Sequence, residues 1–421
     1  MSGWLEGYRA LDLTDERGLL AGQMLGKLGV DVIQIEPPGG SSARRTPPLD
    51  DDGASFYWSA YAAWKRGITL DLEREEGREL LLRLIEAADF LIESERPGRL
   101  AQLGLGHDVL MARNPRLIHV SITPFGSDGP KREYADAELI LWAAGGPLHP
   151  SRDAEGPPLR ISVPQAYLHG AADAAAGALI AHFARLQTGR GQHVDISVQQ
   201  SVTQATLGSH LAAAVGHADF SFLPRPKPQS GPKVLDLSGS GTRTRRSKWI
   251  VRDGLVEMHL GMGPSAGGKT NNLFAWMREE GALPEAMHAW DWVALPSQLS
   301  SGARTEADLE AARDAVAAFL APRAKADLQR EALNRKFLMA PINDVGDLLT
   351  SEQLKARDVF VTVHEGDRTR TLPGPFAAGA PGMFAEPRAA PHVGQHNAAV
   401  FGDLLGLGFD DLAQLSQRGV I

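Results

Sequence analysis

No cysteine occurs among the 421 residues. Disulfides, thiolate nucleophiles, thiolate zinc sites and cysteine-ligated iron–sulfur clusters are therefore excluded. A reducing compartment fits this composition, and the cytoplasm is the expected location. Long apolar runs are missing as well. No stretch approaches the ~18 uncharged apolar residues that cross a bilayer, and the most apolar helical segment, Ala171–Ala184, carries Asp173. Residues 1–10 show no basic head followed by an apolar run, so neither a signal peptide nor a membrane partner is expected. Positive charge is in deficit: 43 Lys and Arg stand against 51 Asp and Glu, a formal net charge of −8. A general nucleic-acid binder needs a basic face, so that class is set aside, although a local basic patch for a small anion stays open. No spacing of His, Asp and Glu suggests a metal site.

What is present is ordinary for a globular enzyme: 43% hydrophobic and 22% charged residues. The 45 Gly and 27 Pro show no period, which excludes collagen and fits a turn-rich α/β or α+β chain. The length favours two or three domains.

The first 200 residues alternate strand and helix signals. Tyr8–Leu13, Asp31–Ile35, Gly67–Leu72, Phe90–Ile92 and Leu117–Ile122 read as strands. Leu19–Leu28 and Glu75–Ala87 read as helices, the second with Leu80, Leu81, Leu84 and Ile85 on one face. This alternation predicts a doubly wound parallel sheet, which binds ligands at the carboxyl ends of its strands. Ala172–Arg185 is a small-residue helix suited to close packing, flanked by His169 and His193. Pro224–Gly241 is rich in Pro, Gly and Ser and reads as a linker, followed by a basic run, Arg243 to Arg252, expected to be a solvated loop or a phosphate contact. A large first domain over 1–220, a linker over 221–245, a smaller α+β domain over 246–335 and a return to the large domain over 336–421 are expected.

Gly263 to Thr270 (GPSAGGKT) matches the phosphate-loop pattern G-x-x-x-x-G-K-[ST], between an expected strand and an expected helix. The same letters contain G-x-S-x-G, the nucleophile-elbow pattern. No later apolar strand ends in the Asp that a nucleotide-bound metal needs, and His364, His392 and His396 lie in expected loops. A glycine-rich turn accounts for the pattern with fewer demands. Glu138, opening an expected helix, is an acid/base candidate or a carboxylate favoured by the helix dipole.

Several segments together resemble the family III CoA-transferases, a group that includes carnitine CoA-transferases, formyl-CoA:oxalate CoA-transferases and α-methylacyl-CoA racemases. They are Leu5–Thr14 (LEGYRALDLT), Leu28–Gly40 (LGVDVIQIEPPGG), Lys65–Leu72 (KRGITLDL), Arg96-Pro97-Gly98, Thr188–Ser197 (TGRGQHVDIS) and the tail from Pro391 to Ile421. The resemblance implies a doubly wound α/β large domain built from both chain ends, a smaller domain from the middle, and two chains interlocked as a dimer. It implies CoA as substrate, with acyl-CoA and a carboxylic acid as partners. The glycine-rich loop Gly263–Gly268 would be the segment that covers the active site. By position, Arg44, Leu70, Arg96 and Leu103 would contact CoA, and Arg17 would lie at the acyl site, where it could pair with a carboxylate.

The resemblance also implies a nucleophilic Asp about 21 residues before Thr188. That place holds Tyr167, with Ala166 beside it. The His that the racemases use falls on Ala137. Three readings stay open: a catalytically silent subunit paired with an Asp-bearing homologue, other acyl-CoA chemistry using Tyr167, His169 or Glu138, and a CoA-thioester-binding protein without turnover. The acyl donor and acceptor are not legible in the sequence.

Overall fold

The structure is a computed structural model that describes residues 3–148, 157–216 and 247–421. The expected linker and the residues Arg243, Arg245 and Arg246 lie outside the described residues. The chain divides into two units, Met1–Arg225 with Lys355–Ile421, and Pro226–Leu354.

The large unit is organised by a parallel sheet of six strands: β1 (Arg9–Asp12), β2 (Asp31–Glu36), β3 (Arg66–Thr69), β4 (Phe90–Glu93), β5 (Ile118–Thr123) and β6 (Gln192–Ser197). Their order is β3-β2-β1-β4-β5-β6. Every neighbouring pair is parallel, as a doubly wound sheet requires. Strand residues alternate between faces. Ala10, Val32, Phe90, Ile92, Val120 and Ile122 therefore enter one core with the helices Leu19–Lys27 and Ala166–Thr188. Leu11, Ile33, Ile68 and Leu91 enter the other. That second core is completed by the amphipathic helix Glu75–Glu86 and, from the far end of the chain, by Val400, Phe401, Leu415 and Val420. The large unit is thus built from both ends of the sequence.

Helix Ala166–Thr188 is longer than its apolar centre suggested and ends at Gly189, whose φ of +72° supplies the left-handed cap. Over most of its length its buried face is small, with Gly170, Ala171, Ala174, Ala175, Ala178 and Ala181, before His182 and Arg185 near its end. A Cβ on Gly170 would come within 2.8 Å of Val198 Cγ2, so the small residues set how closely this helix approaches its neighbours. Residues 198–214 form three short helices, Val198–Thr203, Gln204–Thr206 and Leu207–Ala214.

The small unit has an antiparallel sheet, β7 (Lys248–Val251), β8 (Gly254–Glu257) and β9 (Ala340–Ile342). Its core is aromatic, with Trp249, Phe274, Trp276, Trp292, Phe319 and Phe337 buried together. Two expectations are corrected here. β9 completes this sheet, so the return to the large unit falls after Leu354 rather than at residue 336. The described part of the basic run is only partly loop: Lys248 opens β7, and Arg252 lies exposed in the turn that follows it. The large unit also carries an unanticipated hairpin, β10 (Phe360–Glu365) and β11 (Arg368–Pro373).

The phosphate-loop pattern does not have phosphate-loop geometry. The strand before it, β8, belongs to an antiparallel hairpin, not to a parallel βα unit. The Thr270 hydroxyl donates to Gly261 O at 2.8 Å and is buried. The Gly267 amide is spent on Gly263 O at 2.8 Å. A Cβ at Gly267 would meet the Trp292 backbone at 2.5 Å, which accounts for a glycine there without a ligand.

One buried ion pair underlies the large sheet. Lys65 Nζ lies 2.7 Å from Asp12 Oδ2 and 2.8 Å from Gln34 Oε1, and both charged side chains are fully buried. Lys65→Met should cost about 3–5 kcal/mol, because it strands the buried Asp12 carboxylate. Urea unfolding of the two proteins checks it; a loss under 1 kcal/mol would show that the pair is not needed.

Candidate active site

In a doubly wound sheet the ligand crevice opens where the strand order reverses, here between the carboxyl ends of β1 and β4. Two loops leave at that point: Leu13–Arg17 after β1 and Ser94–Gly98 after β4. They are tied together, since Asp15 N donates to Ser94 Oγ at 3.3 Å and Ser94 Oγ donates to Asp15 Oδ1 at 3.1 Å. Asp15 also grips Arg17, with Nε 2.9 Å from Oδ1 and an Nη 2.7 Å from Oδ2. Burial works against the Arg17 charge, but the Asp15 hydrogen bonds more than offset it and hold the guanidinium above its ordinary value. The charge of Asp136 adds to this, and Tyr167 lies close enough to couple to the same guanidinium, so all four side chains belong to one cluster.

Tyr167 is the second residue of helix Ala166–Thr188. Its hydroxyl donates a hydrogen bond to Asp136 Oδ2. Burial, reinforced by Asp136, pushes the phenol well above its usual range, with Arg17 pulling the other way. It stays protonated at any physiological pH. Asp136 was not anticipated. It lies in the loop just before the helix Glu138–Gly145, and its only signal in the sequence is an acidic residue two places before another.

Glu138 is a cap. Its Oε1 accepts from Trp142 Nε1 at 2.7 Å, from Ala166 N at 2.9 Å and from Gln165 N. Two of these donors are backbone N–H groups at the start of the helix that bears Tyr167, where a carboxylate is favoured by the dipole. His169 is exposed and packs edge-on to Trp142, with ring centres 6.0 Å apart. No described side chain forms a polar contact with it. His193 is taken by Ser121, whose Oγ lies 2.8 Å from Nε2.

The residues expected to hold CoA differ in their availability. Arg44 is committed: Nε and an Nη bond Glu36 at 2.6 and 2.7 Å, another contact reaches Pro391 O at 2.9 Å, and the guanidinium lies 3.9 Å from the Trp58 ring centre. Leu70 is buried, and Leu103 is partly buried against the same core. Arg96 is exposed, and no described residue pairs with its side chain. Arg99, three residues on, is paired with Glu73.

The sequence pattern of CoA-transferase family III matches residues 5–233 and 278–397, most of the chain. A succinyl-CoA:(R)-benzylsuccinate CoA-transferase subunit, BbsE, of Thauera aromatica is 30% identical over 93% of this chain and 92% of its own. A succinyl-CoA–D-citramalate CoA-transferase of Chloroflexus aurantiacus is also 30% identical, over 99% of this chain and 98% of its own. Among solved structures, a CAIB/BAIF family protein from Brucella suis superposes with a TM-score of 0.75 at 25% identity, covering 96% of this chain and all of that one. A doubly wound α/β unit with its crevice at the β1/β4 reversal is thus met together with these matches. The chain belongs to CoA-transferase family III.

The cap role of Glu138 predicts that Glu138→Ala lowers stability by about 0.5–2 kcal/mol, as loss of a helix N-terminal acceptor does. Chemical denaturation would measure it, and an unchanged midpoint would remove the cap assignment.

Proposed function

We propose that this chain binds an acyl-CoA thioester in the β1/β4 crevice and transfers CoA from one carboxylic acid to another. Family membership supports CoA-thioester chemistry, and the observation that carries the reading to this crevice is the Arg17–Asp15–Tyr167–Asp136 cluster beside it. The relatives named above act on succinyl-CoA and branched or aromatic dicarboxylic acids, so short dicarboxylates are the first acceptors to try. Arg17 gives its Nε and Nη2 edge to Asp15, while no described group bonds Nη1, which is the position left for an anion.

The substitution at Tyr167 favours a second reading. A buried phenol that holds its proton is a poor nucleophile toward a thioester. A silent subunit completed by an Asp-bearing homologue fits that, and one relative is itself named as a subunit. An interlocked dimer, of two copies or of such a pair, is supported by the apolar side chains that the large unit leaves exposed. Ile180, Phe183 and Leu186 on helix Ala166–Thr188, with Leu207 and Leu211, are each at least 60% exposed.

One experiment separates the readings. The purified chain is sized by light scattering, then incubated with succinyl-CoA and D-citramalate, benzylsuccinate or oxalate, and CoA esters are followed by chromatography. Transfer by a particle of two chains is expected. Transfer only after an Asp-bearing homologue is added would assign the silent-subunit role, and a monomer would remove the dimer.

Arg96 is an exposed cation on the loop after β4, unpaired among the described residues and suited to a CoA phosphate. Arg96→Ala should weaken CoA binding about tenfold, the scale of one charge-assisted hydrogen bond, and should flatten its salt dependence. Calorimetry at two salt concentrations tests this; unaltered affinity would place the phosphates elsewhere.

A further inference from the structure

We propose that Asp136 is the covalent nucleophile of this chain and that Tyr167 positions it. The inference rests on the transferase reading above and deepens it.

Moving CoA between two acids without spending other energy requires the enzyme to hold each acyl group in a bond as reactive as a thioester. A carboxylate meets that requirement, because its acyl product is an anhydride and its CoA product a thioester. A hydroxyl that must first lose a firmly held proton does not. The carboxylate must also have an oxygen free to attack. Around Tyr167 the candidates separate on this point or on their place. Glu138 and Glu16 each keep one oxygen without a described donor, but Glu138 caps the helix Ala166–Thr188 and Glu16 faces Ser42, whereas Asp136 contacts Tyr167 beside Arg17. Both oxygens of Asp15 are bonded to Arg17, and Oδ1 also receives Ser94. Glu138 Oε1 carries three donors and anchors a helix. Glu16 receives Ser42 through Oε2. Asp136 is half-buried, and its Oδ2 takes the Tyr167 hydroxyl while no described donor reaches Oδ1. Arg17 adds a positive charge beside the pair, which favours the ionised carboxylate and the oxyanion formed on attack. The phenol is therefore not an empty replacement. It holds a carboxylate by one oxygen and leaves the other for substrate.

The steps balance. Asp136 Oδ1 attacks the thioester carbonyl, a C–O bond forms, the C–S bond breaks and CoA departs as thiolate. The thiolate attacks Asp136 Cγ of the resulting anhydride, so a C–S bond forms and the donor acid leaves as its carboxylate. The acceptor carboxylate then attacks the aspartyl thioester, regenerating an anhydride and the thiolate. Attack of that thiolate on the new acyl carbon gives the product thioester and returns the Asp136 carboxylate. No net proton, oxidant or reductant is consumed.

The test traps the intermediate on the unaltered protein. The chain is mixed with succinyl-CoA and hydroxylamine, digested, and the hydroxamate is located by peptide mass spectrometry. A hydroxamate on Asp136 is expected. Transfer activity with the label on Glu138, Asp15 or another residue overturns the role of Asp136 and leaves the transferase reading standing. Absence of both transfer and label removes the transferase reading, and this inference with it. Asp136→Asn should lower transfer roughly 10³-fold or more while CoA affinity by calorimetry is kept, which also reports that the variant is folded. An Asp136→Asn protein with undiminished transfer overturns the proposal. Tyr167→Phe, which keeps the ring and removes the donor, should lower kcat about tenfold with KM nearly unchanged and leave the label on Asp136. A change in KM alone would give Tyr167 a binding role instead of a positioning one.

Discussion

The contact on which the large unit turns is the buried pair of Lys65 and Asp12. It joins three strands and a loop at one point. Asp12 ends β1, Gln34 lies in β2 and Lys65 immediately precedes β3. Gln34 Nε2 donates onward to the carbonyls of Asp12 and Thr14, and Thr14 returns its amide and hydroxyl to Asp12 Oδ1 at 2.9 and 2.7 Å. Even helix Leu19–Lys27 is fitted to it, because a Cβ at Gly22 would lie 2.0 Å from Asp12 Oδ2. Burying two charges is expensive, and a pair of this kind is retained for the arrangement it enforces more than for net stability. What it enforces here is the direction in which the chain leaves β1. That exit carries Asp15 and Arg17 into the crevice.

This explains which parts of the molecule were legible in the sequence. The segments LDLT and KRGITLDL, which carry the resemblance, are largely the machinery of this buried pair: Asp12, Thr14 and Lys65 come from them. Similarity in such segments reports scaffold geometry, so the sheet, its parallel character and the return of the C-terminal helices were all readable. Periodicity served well where one face is buried, as in Glu75–Glu86. It failed for β10 and β11, whose residues are mostly half-exposed with only Val363 and Leu372 buried, so no clear alternation marks them. It also failed for β9, three residues long and containing Pro341.

The site was legible only in part, for a different reason. Tyr167, Arg17 and Glu138 could be named because their places in the chain are fixed by neighbouring motifs. Asp136 could not, because its partner is 31 residues away and the pairing depends on how a loop enters the helix Glu138–Gly145. Glu138 shows the converse. Its type and place suggested acid/base chemistry, yet three donors on one oxygen make it part of the frame that holds Tyr167. The GPSAGGKT segment makes the same point for a letter pattern: its hydroxyl and its amide are consumed within the turn.

Charge connects the scaffold to the ligand. The chain is acidic, with a net charge of −8, yet CoA is a polyanion. Long-range attraction therefore contributes nothing to its capture, and at physiological salt the repulsion is screened beyond ~8 Å. Binding must come from cations left unneutralised at short range. Most of the arginines along this edge are already spent, Arg44 on Glu36, Arg74 on Asp71 and Arg99 on Glu73. Arg44 is held besides by Trp58 and Pro391, so releasing it would cost a stacked cation and a hydrogen bond together. On the proposed reading, an exposed Arg96 on the loop after β4 would carry more of the electrostatic work than its number suggests, while Leu70 is closed inside the core and offers CoA no surface. On that reading the crevice would meet CoA with a local charge at one end and a carboxylate cluster at the other, inside a molecule whose overall charge opposes it.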